Sequence, residues 1–397
     1  MIKRNPSMQK LTSSYLFLEI NKRKNEYLKQ HPESALISLG IGDTTEPLPE
    51  CVIKAMMMAS LALGIRSDYT GYGPEAGLLE LREQIASTFY KGIQPDEIFV
   101  SDGAKCDTGR LQVLFGGDCS IGIQDPSYPV YLDGSLIQGI ENIHLMPCLE
   151  EDNFFPNLEL LPELDLLYIC SPNNPTGIAY TKPQLEELVN YALQTNTLII
   201  FDAAYSAFIQ SPDLPKSIFE IEGAKKVAIE LNSFSKLAGF TGIRLGWSVV
   251  PKELKYRDGT SIHSDWNRIT STLFNGASII SQRGGLAVLT PKGFKEVQNT
   301  ISFYLENASL LKKAFEDLEF KVFGGTSAPY LWIKVPGLSS WEAFQMLLDN
   351  AQIVSTPGSG FGEAGEGFIR LSAFGSRENI LEAIKRIEIH FKSLVSS

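Results

Sequence analysis

The sequence predicts an α/β protein in which a mostly parallel sheet lies between helices, and three observations support that prediction. Short apolar, β-rich runs alternate with helical patterns between about residues 98 and 250. The runs are continuously apolar, as strands covered on both faces must be. Several end abruptly in small polar residues, and in such sheets ligands bind beyond the carboxyl ends of the strands.

Seven strands are expected: Ile98 to Ser101, Ser120 to Gln124, Ile143 to Pro147, Leu166 to Cys170, Leu198 to Phe201, Val227 to Leu231 and Leu245 to Val250. The clearest helix follows residue 181. Thr181 can cap it, Gln184 takes the capping-box position, and Leu185, Leu188, Val189, Ala192 and Leu193 keep the helical period. From near residue 290 the pattern changes to a smaller α+β unit. A long helix is expected over 294 to 317, a strand at Tyr330 to Val335, a helix from Trp341 and a strand at Gly367 to Leu371. A final helix from Glu378 places Ile380, Ile384 and Ile387 on one face. No repeat or linker separates these units.

A chain of 397 residues has room for two domains. With 44% hydrophobic and 20% charged residues it reads as an ordinary globular protein. Its 35 basic against 46 acidic residues give a formal net charge of −11, which argues against a nucleic-acid footprint. The five cysteines form no Cys-x-x-Cys pair and sit mostly in apolar runs, as buried thiols of a reducing compartment do. The four histidines, at 31, 144, 263 and 390, have no ligand spacing, so no metal is expected. No apolar run approaches the ~18 residues of a membrane span, and Tyr15 to Leu18 is too short for a signal peptide core. A cytoplasmic protein is expected. Gly360-Phe361-Gly362-Glu363-Ala364-Gly365 matches G-x-G-x-x-G, but a strand-like run follows it where a dinucleotide site needs a helix.

The most informative segment runs from Ser233 to Gly246. It puts Lys236 and Arg244 in a loop of small and hydroxylated residues: an amine that can attach to an aldehyde, and a fork, hydroxyls and backbone N–H groups that can hold a phosphate. These are the two handles of pyridoxal phosphate. Asp202, closing the run Leu198 to Asp202, is the candidate to face the pyridine nitrogen and keep it protonated. Asn174, in Asn173-Asn174-Pro175-Thr176-Gly177, and Tyr205 can each donate to the ring's phenolate oxygen. Tyr128 can lie flat against the ring. Ser101-Asp102-Gly103-Ala104-Lys105 closes a strand and opens a helix whose free N–H groups suit phosphate. Arg370, inside the apolar run Phe368 to Ser372, is costly to bury without a partner and fits a substrate carboxylate.

Taken together these segments resemble the fold-type I, pyridoxal-phosphate-dependent class I and II aminotransferases over nearly the whole chain. Asn-Asn-Pro-Thr-Gly, Asp-x-x-Tyr, Ser-x-Ser-Lys with Arg eight residues on, and the late arginine occur in that family's order. More particular are residues 41–48, 71–78, 101–107, 124–131 and 274–278, which resemble a branch of the family acting on a diamino diacid. The resemblance implies a large cofactor-binding domain over 46–289, a small domain over 290–397, and an arm at 1–45 that joins the small domain. It implies a homodimer with shared active sites, pyridoxal 5'-phosphate as cofactor, and amino-group exchange between amino acids and 2-oxo acids. Lys236 would carry the cofactor and shuttle the proton. Ala104, Lys105, Ser233, Ser235 and Arg244, with Phe234 between the serines, would surround the phosphate, joined by Tyr72 from the partner. Arg370, Tyr15, Gly42, Lys105, Tyr128, Asn174 and Asn275 would hold substrate, Asn275 also touching cofactor. Glu75, in the loop the resemblance gives to the partner, would meet a distal ammonium. The competing readings are an aminotransferase for aspartate, alanine or aromatic substrates, a lyase on the same scaffold, and a catalytically inactive cofactor-binding regulator.

Overall fold

The computed structural model describes residues 2–11 and 16–395, without the side chains of 391–395. In chain order, a short strand β1 (Ile37–Ser38) precedes the seven strands of the central sheet. These are β2 (Ile98–Ser101), β3 (Ile121–Asp125), β4 (Ile143–Pro147), β5 (Leu166–Cys170), β6 (Leu198–Asp202), β7 (Ala228–Ser233) and β8 (Gly246–Val249). Their spatial order is β2-β8-β7-β6-β5-β3-β4. All neighbours are parallel except β8, which runs against both β2 and β7. Each expected strand is present, with ends shifted by a residue or so.

The apolar runs are continuous because successive residues feed different layers. Leu166, Tyr168 and Cys170 pack on one face of the sheet with Leu111, Tyr131 and Trp266. Leu167 and Ile169 pack on the other with Leu185, Leu188 and Val189. The latter three belong to the helix Lys182–Thr195, which carries the expected capping box of Thr181 with Gln184. The same alternation in β6 gives Asp202 the parity of Ile200, toward the face that holds Tyr131.

The second sheet has the order β12-β13-β10-β9, from β9 (Val322–Gly324), β10 (Tyr330–Lys334), β12 (Thr356–Pro357) and β13 (Phe368–Ser372). A further short strand, β11 (Ile353–Val354), pairs with β1, so residues 37–38 join the C-terminal part of the chain. Leu331, Ile333, Ile369 and Leu371 face Leu311, Phe315, Leu347, Ile380 and Ile387 of the surrounding helices. That alternation leaves Tyr330, Trp332 and Arg370 on the opposite face, with Trp332 directly across from Arg370. The long helix starts earlier than the periodicity suggests, at Pro291, because Thr290 caps it and proline suits the first helical turn. Residues 358–365 form 3₁₀ turns that lead into β13, and no helix follows the glycines. No described helix is long and apolar enough to cross a membrane.

Candidate active site

A cavity of about 560 Å³ opens at the carboxyl ends of β5, β6 and β7 and is closed over by Tyr330 and Arg370 of the second sheet. Most of the residues singled out from sequence line it: Gly42, Ala104, Lys105, Tyr128, Asn174, Asp202, Tyr205, Ser233, Ser235, Lys236, Arg244 and Arg370. They come from segments up to 328 positions apart, brought together because most sit just past a strand end or on a facing strand.

Lys236 lies in the helical turn Phe234–Ala238, which begins directly after β7 and is capped by Ser233. Its ammonium donates to the Gly42 carbonyl and lies 5.8 Å and 5.3 Å from the ring centroids of Tyr205 and Phe374. Burial disfavours the charged form and brings its pKa down to about 8, with Arg370 and Arg244 adding repulsion against the attraction of Asp43 and Asp202. A lysine so placed holds a substantial neutral, nucleophilic fraction near neutral pH.

Beside it is an anion cradle. The helix Ala104–Phe115 points its amino terminus into the cavity. Arg244 has a left-handed backbone (φ 66°), uncommon for a residue with a side chain, and that conformation brings its guanidinium to the Ser235 hydroxyl (3.0 Å) and the Thr241 carbonyl (3.2 Å). Close approach of the helix requires Gly246: a Cβ there would come within 2.8 Å of the Gly103 Cα and 2.9 Å of the Ala104 nitrogen.

Asp202 is buried at the end of β6. Its Oδ2 accepts from the Tyr131 hydroxyl at 2.7 Å and its Oδ1 from the Ala204 N–H at 2.9 Å. Burial pushes its pKa up, and those two donors, with Lys236 at longer range, oppose the shift. Among the described residues no cation forms a salt bridge with it, so a buried carboxylate awaits a positive group.

Arg370 is 1% exposed. One Nη1–H goes to the Asn174 side-chain oxygen (2.5 Å) and one Nη2–H to the Gly40 carbonyl (2.5 Å), while Nε has no partner. Its guanidinium stacks 4.4 Å from the Tyr330 ring centroid and 4.8 Å from that of Phe361. No described carboxylate pairs with it. Arginine can only donate, so its bond fixes the Asn174 oxygen and leaves that amide's N–H groups as donors. Tyr205 and Tyr330 share a hydrogen bond of 2.5 Å between hydroxyls.

Four expected residues lie outside this cavity. Phe234 is fully buried in the core against Phe240 and Trp247. Its ring faces away because neighbouring residues of a turn point in different directions. Tyr72 is 89% exposed. Glu75 is exposed and accepts a hydrogen bond from Ser271 at 2.5 Å. Asn275 is exposed too and lies outside its own chain's cavity, while its neighbour Gly276 abuts the backbone of Pro74 and Glu75. Tyr15 lies outside the described residues. Sequence reasoning gave no role to Tyr131, Thr241 or Tyr330, which line the cavity. Tyr131 lies in the first turn of the short helix Val130–Ile137, and Tyr128 just before that helix meets it edge to face with ring centroids 6.1 Å apart.

The residues present fit pyridoxal phosphate: a depressed amine, an anion cradle of helix terminus, hydroxyls and guanidinium, and a buried carboxylate lacking a cation. The family model for aminotransferase class I and II matches residues 34–387, and the chain belongs to that family. It is 54% identical over 400 residues to an LL-diaminopimelate aminotransferase of Protochlamydia amoebophila, with 98% of this chain and 97% of that protein covered. It is 50% identical over 404 residues to the chloroplastic LL-diaminopimelate aminotransferase of Arabidopsis thaliana, with 98% and 87% covered. The solved structure of L,L-diaminopimelate aminotransferase from Chlamydomonas reinhardtii superposes with a TM-score of 0.95 at 51% identity, covering 98% of this chain and 99% of that one.

Proposed function

We propose that this chain is a pyridoxal 5'-phosphate-dependent aminotransferase that interconverts LL-2,6-diaminopimelate plus 2-oxoglutarate with tetrahydrodipicolinate plus glutamate, a step toward lysine and cell-wall precursors. The similarity at about half of all positions over nearly the full length supports the substrate. The observation that carries the chemistry is Arg370, a buried guanidinium without a carboxylate, in one cavity with Lys236 and Asp202. The soluble substrates suit a cytoplasmic enzyme.

Pyridoxal phosphate, when bound, supplies an electron sink for negative charge developing at the Cα of an amino acid. Asp202 would hold its ring nitrogen, Asn174 and Tyr205 its phenolate oxygen, and Ala104, Lys105, Ser233, Ser235 and Arg244 its phosphate. Arg370 grips the α-carboxylate of the substrate and so fixes where its Cα lies. Lys236 Nζ, with a pKa near 8, can take a proton from that carbon and return it on the opposite side of the exchange. Tyr131 holds Asp202 in one orientation through its 2.7 Å bond.

We place Tyr72, Glu75 and Asn275 in the partner's active site within a homodimer, since all three are exposed and outside their own cavity, and Gly276, next to Asn275, abuts the backbone of Glu75. An exposed apolar strip of Ile53, Met57, Leu61 and Ile65, continuing to Tyr69, supports that association. Glu75 then meets the distal ammonium of diaminopimelate. The deciding experiment is an absorbance titration of the cofactor-loaded protein with LL- and meso-diaminopimelate, followed by amino-donor profiling. Rapid conversion with LL-diaminopimelate and little with aspartate or tyrosine is expected. Preference for aspartate or an aromatic donor would make it a different aminotransferase, and no spectral change with any amino acid would make it a cofactor-binding regulator.

A further inference from the structure

Tyr330 opens β10, and none of the roles above falls to it. We infer that Tyr330 is a positioning residue that ties the guanidinium of Arg370 to the hydroxyl of Tyr205, so that one side chain orients both the carboxylate grip and the donor to the cofactor. The inference rests on the proposed function.

Three contacts converge on this side chain. Its hydroxyl is 2.5 Å from that of Tyr205, and the two rings meet edge to face with centroids 5.1 Å apart. Its ring lies under the Arg370 guanidinium at 4.4 Å. Its hydroxyl also fills the space beside Gly42, where a Cβ would come within 1.9 Å of the oxygen, and the Gly42 carbonyl accepts from Lys236. Tyr205 and Tyr330 are 5% and 1% exposed where they line the cavity, and each hydroxyl is the other's near partner.

The direction of the tyrosine pair follows from the charge beneath it. A cation against the Tyr330 ring withdraws electron density and polarises its O–H, which makes Tyr330 the stronger donor. Tyr330 then donates to the Tyr205 oxygen, and the Tyr205 hydrogen is left for an acceptor in the cavity. Donation to Tyr205 also strengthens Tyr205 as a donor, because chained hydrogen bonds polarise one another. Packing alone would need the ring of Tyr330 and not its oxygen, so the two parts of the side chain are separable by experiment.

The test compares the cofactor-loaded wild type with Y330F, Y330L and G42A, recording the pH midpoint of the bound cofactor's absorbance change and KM for both carboxylate substrates. Y330F keeps the ring and loses the oxygen. A weakened Tyr205 leaves more negative charge on the cofactor's phenolate oxygen, so the neighbouring nitrogen keeps its proton to higher pH. The midpoint is expected to rise by about 0.5 unit, the size of one modest hydrogen bond, with KM within about twofold of wild type. Y330L also loses the face under Arg370, and KM is expected to rise about fivefold or more. G42A crowds the Tyr330 hydroxyl from the main-chain side and is expected to reproduce the midpoint shift of Y330F. In a Y205F background Y330F is expected to add no further shift. An unchanged midpoint in Y330F overturns the inference while leaving the proposed function standing, and if Y330F does not fold, an unchanged midpoint in G42A does the same. A wild-type chain that takes up no pyridoxal phosphate overturns the proposed function, and this inference with it.

Discussion

Replacing Arg370 by lysine tests the substrate grip with the charge retained. The guanidinium spends one Nη1–H on Asn174 and one Nη2–H on Gly40; the second Nη1–H, and the second Nη2–H on giving up a long 3.4 Å contact to Thr356, are left for a carboxylate, whereas Nε is buried. A lysine ammonium has three N–H groups in all and no planar fork. If it keeps both protein contacts, only one hydrogen bond is left for the substrate, where arginine offers two. A hydrogen bond to a charged group is worth about 1.5–3 kcal/mol, and each 1.36 kcal/mol is tenfold in rate. R370K is therefore expected to lower kcat/KM by about 10 to 100-fold with both the amino acid and the 2-oxo acid, because both present an α-carboxylate. R370M removes the charge as well and is expected to cost at least tenfold more.

The assay is rapid-mixing absorbance of each half-reaction, which separates binding from proton transfer. Cofactor content measured by absorbance is expected to be unchanged, since Arg370 touches Asn174 but not the phosphate cradle. Rates for R370K within about threefold of wild type would refute the assignment, and so would a parallel loss of cofactor affinity, because then Arg370 would be holding the protein together and not the substrate.

The other predictions concern the cofactor side and the partner subunit. In the cofactor-free protein, labelling of Lys236 by an amine-selective acylating reagent is expected to be half-maximal near pH 8; a midpoint near the ordinary 10.5 would remove the depressed amine. The folded protein releases that proton at lower pH than the unfolded chain, so stability contributed by this group rises with pH between about 8 and 10.5. The urea midpoint of wild type relative to K236M is expected to climb over that window. D202N is expected to bind cofactor yet lose about 10²-fold or more in half-reaction rate, and full activity would show that Asp202 does not face the ring nitrogen. G246A would place a Cβ 2.8 Å from the Asn232 carbonyl oxygen and the Gly103 Cα, so its affinity for pyridoxal phosphate is expected to fall at least about tenfold, measured by equilibrium dialysis. E75Q is expected to narrow the preference for diaminopimelate over lysine, and unchanged discrimination would remove Glu75 from distal recognition.

Which parts of this site were legible in the sequence follows from where a polar residue costs something. Asp202 and Arg370 stand in strands where the residues next to them are apolar, so their charge has no cheap structural explanation and a ligand is the natural one. Lys236 was legible because small hydroxylated residues flank it where a strand stops. Tyr131 and Tyr330 were not, since a tyrosine at the start of a helix or strand has an adequate explanation in packing. Their partners, Asp202 and Tyr205, lie 71 and 125 positions away, and only the folded register decides those pairings. The same limit applied to the fold: strands of two or three residues, such as β1, β9 and β12, leave no period to detect, yet β1 and β12 anchor the segments that present Gly40 and Thr356 to Arg370. The Phe234 ring packs in the core for the converse reason, because membership of a motif says nothing about which side of a turn a side chain faces. Tyr72 and Asn275 extend the point beyond one chain. If they act in the partner's site, mixing Y72F with a K236M chain must restore activity at hybrid sites built from the intact half of each. Failure of such mixtures, with dimers formed and exchanged, would return Tyr72 to the surface of its own subunit.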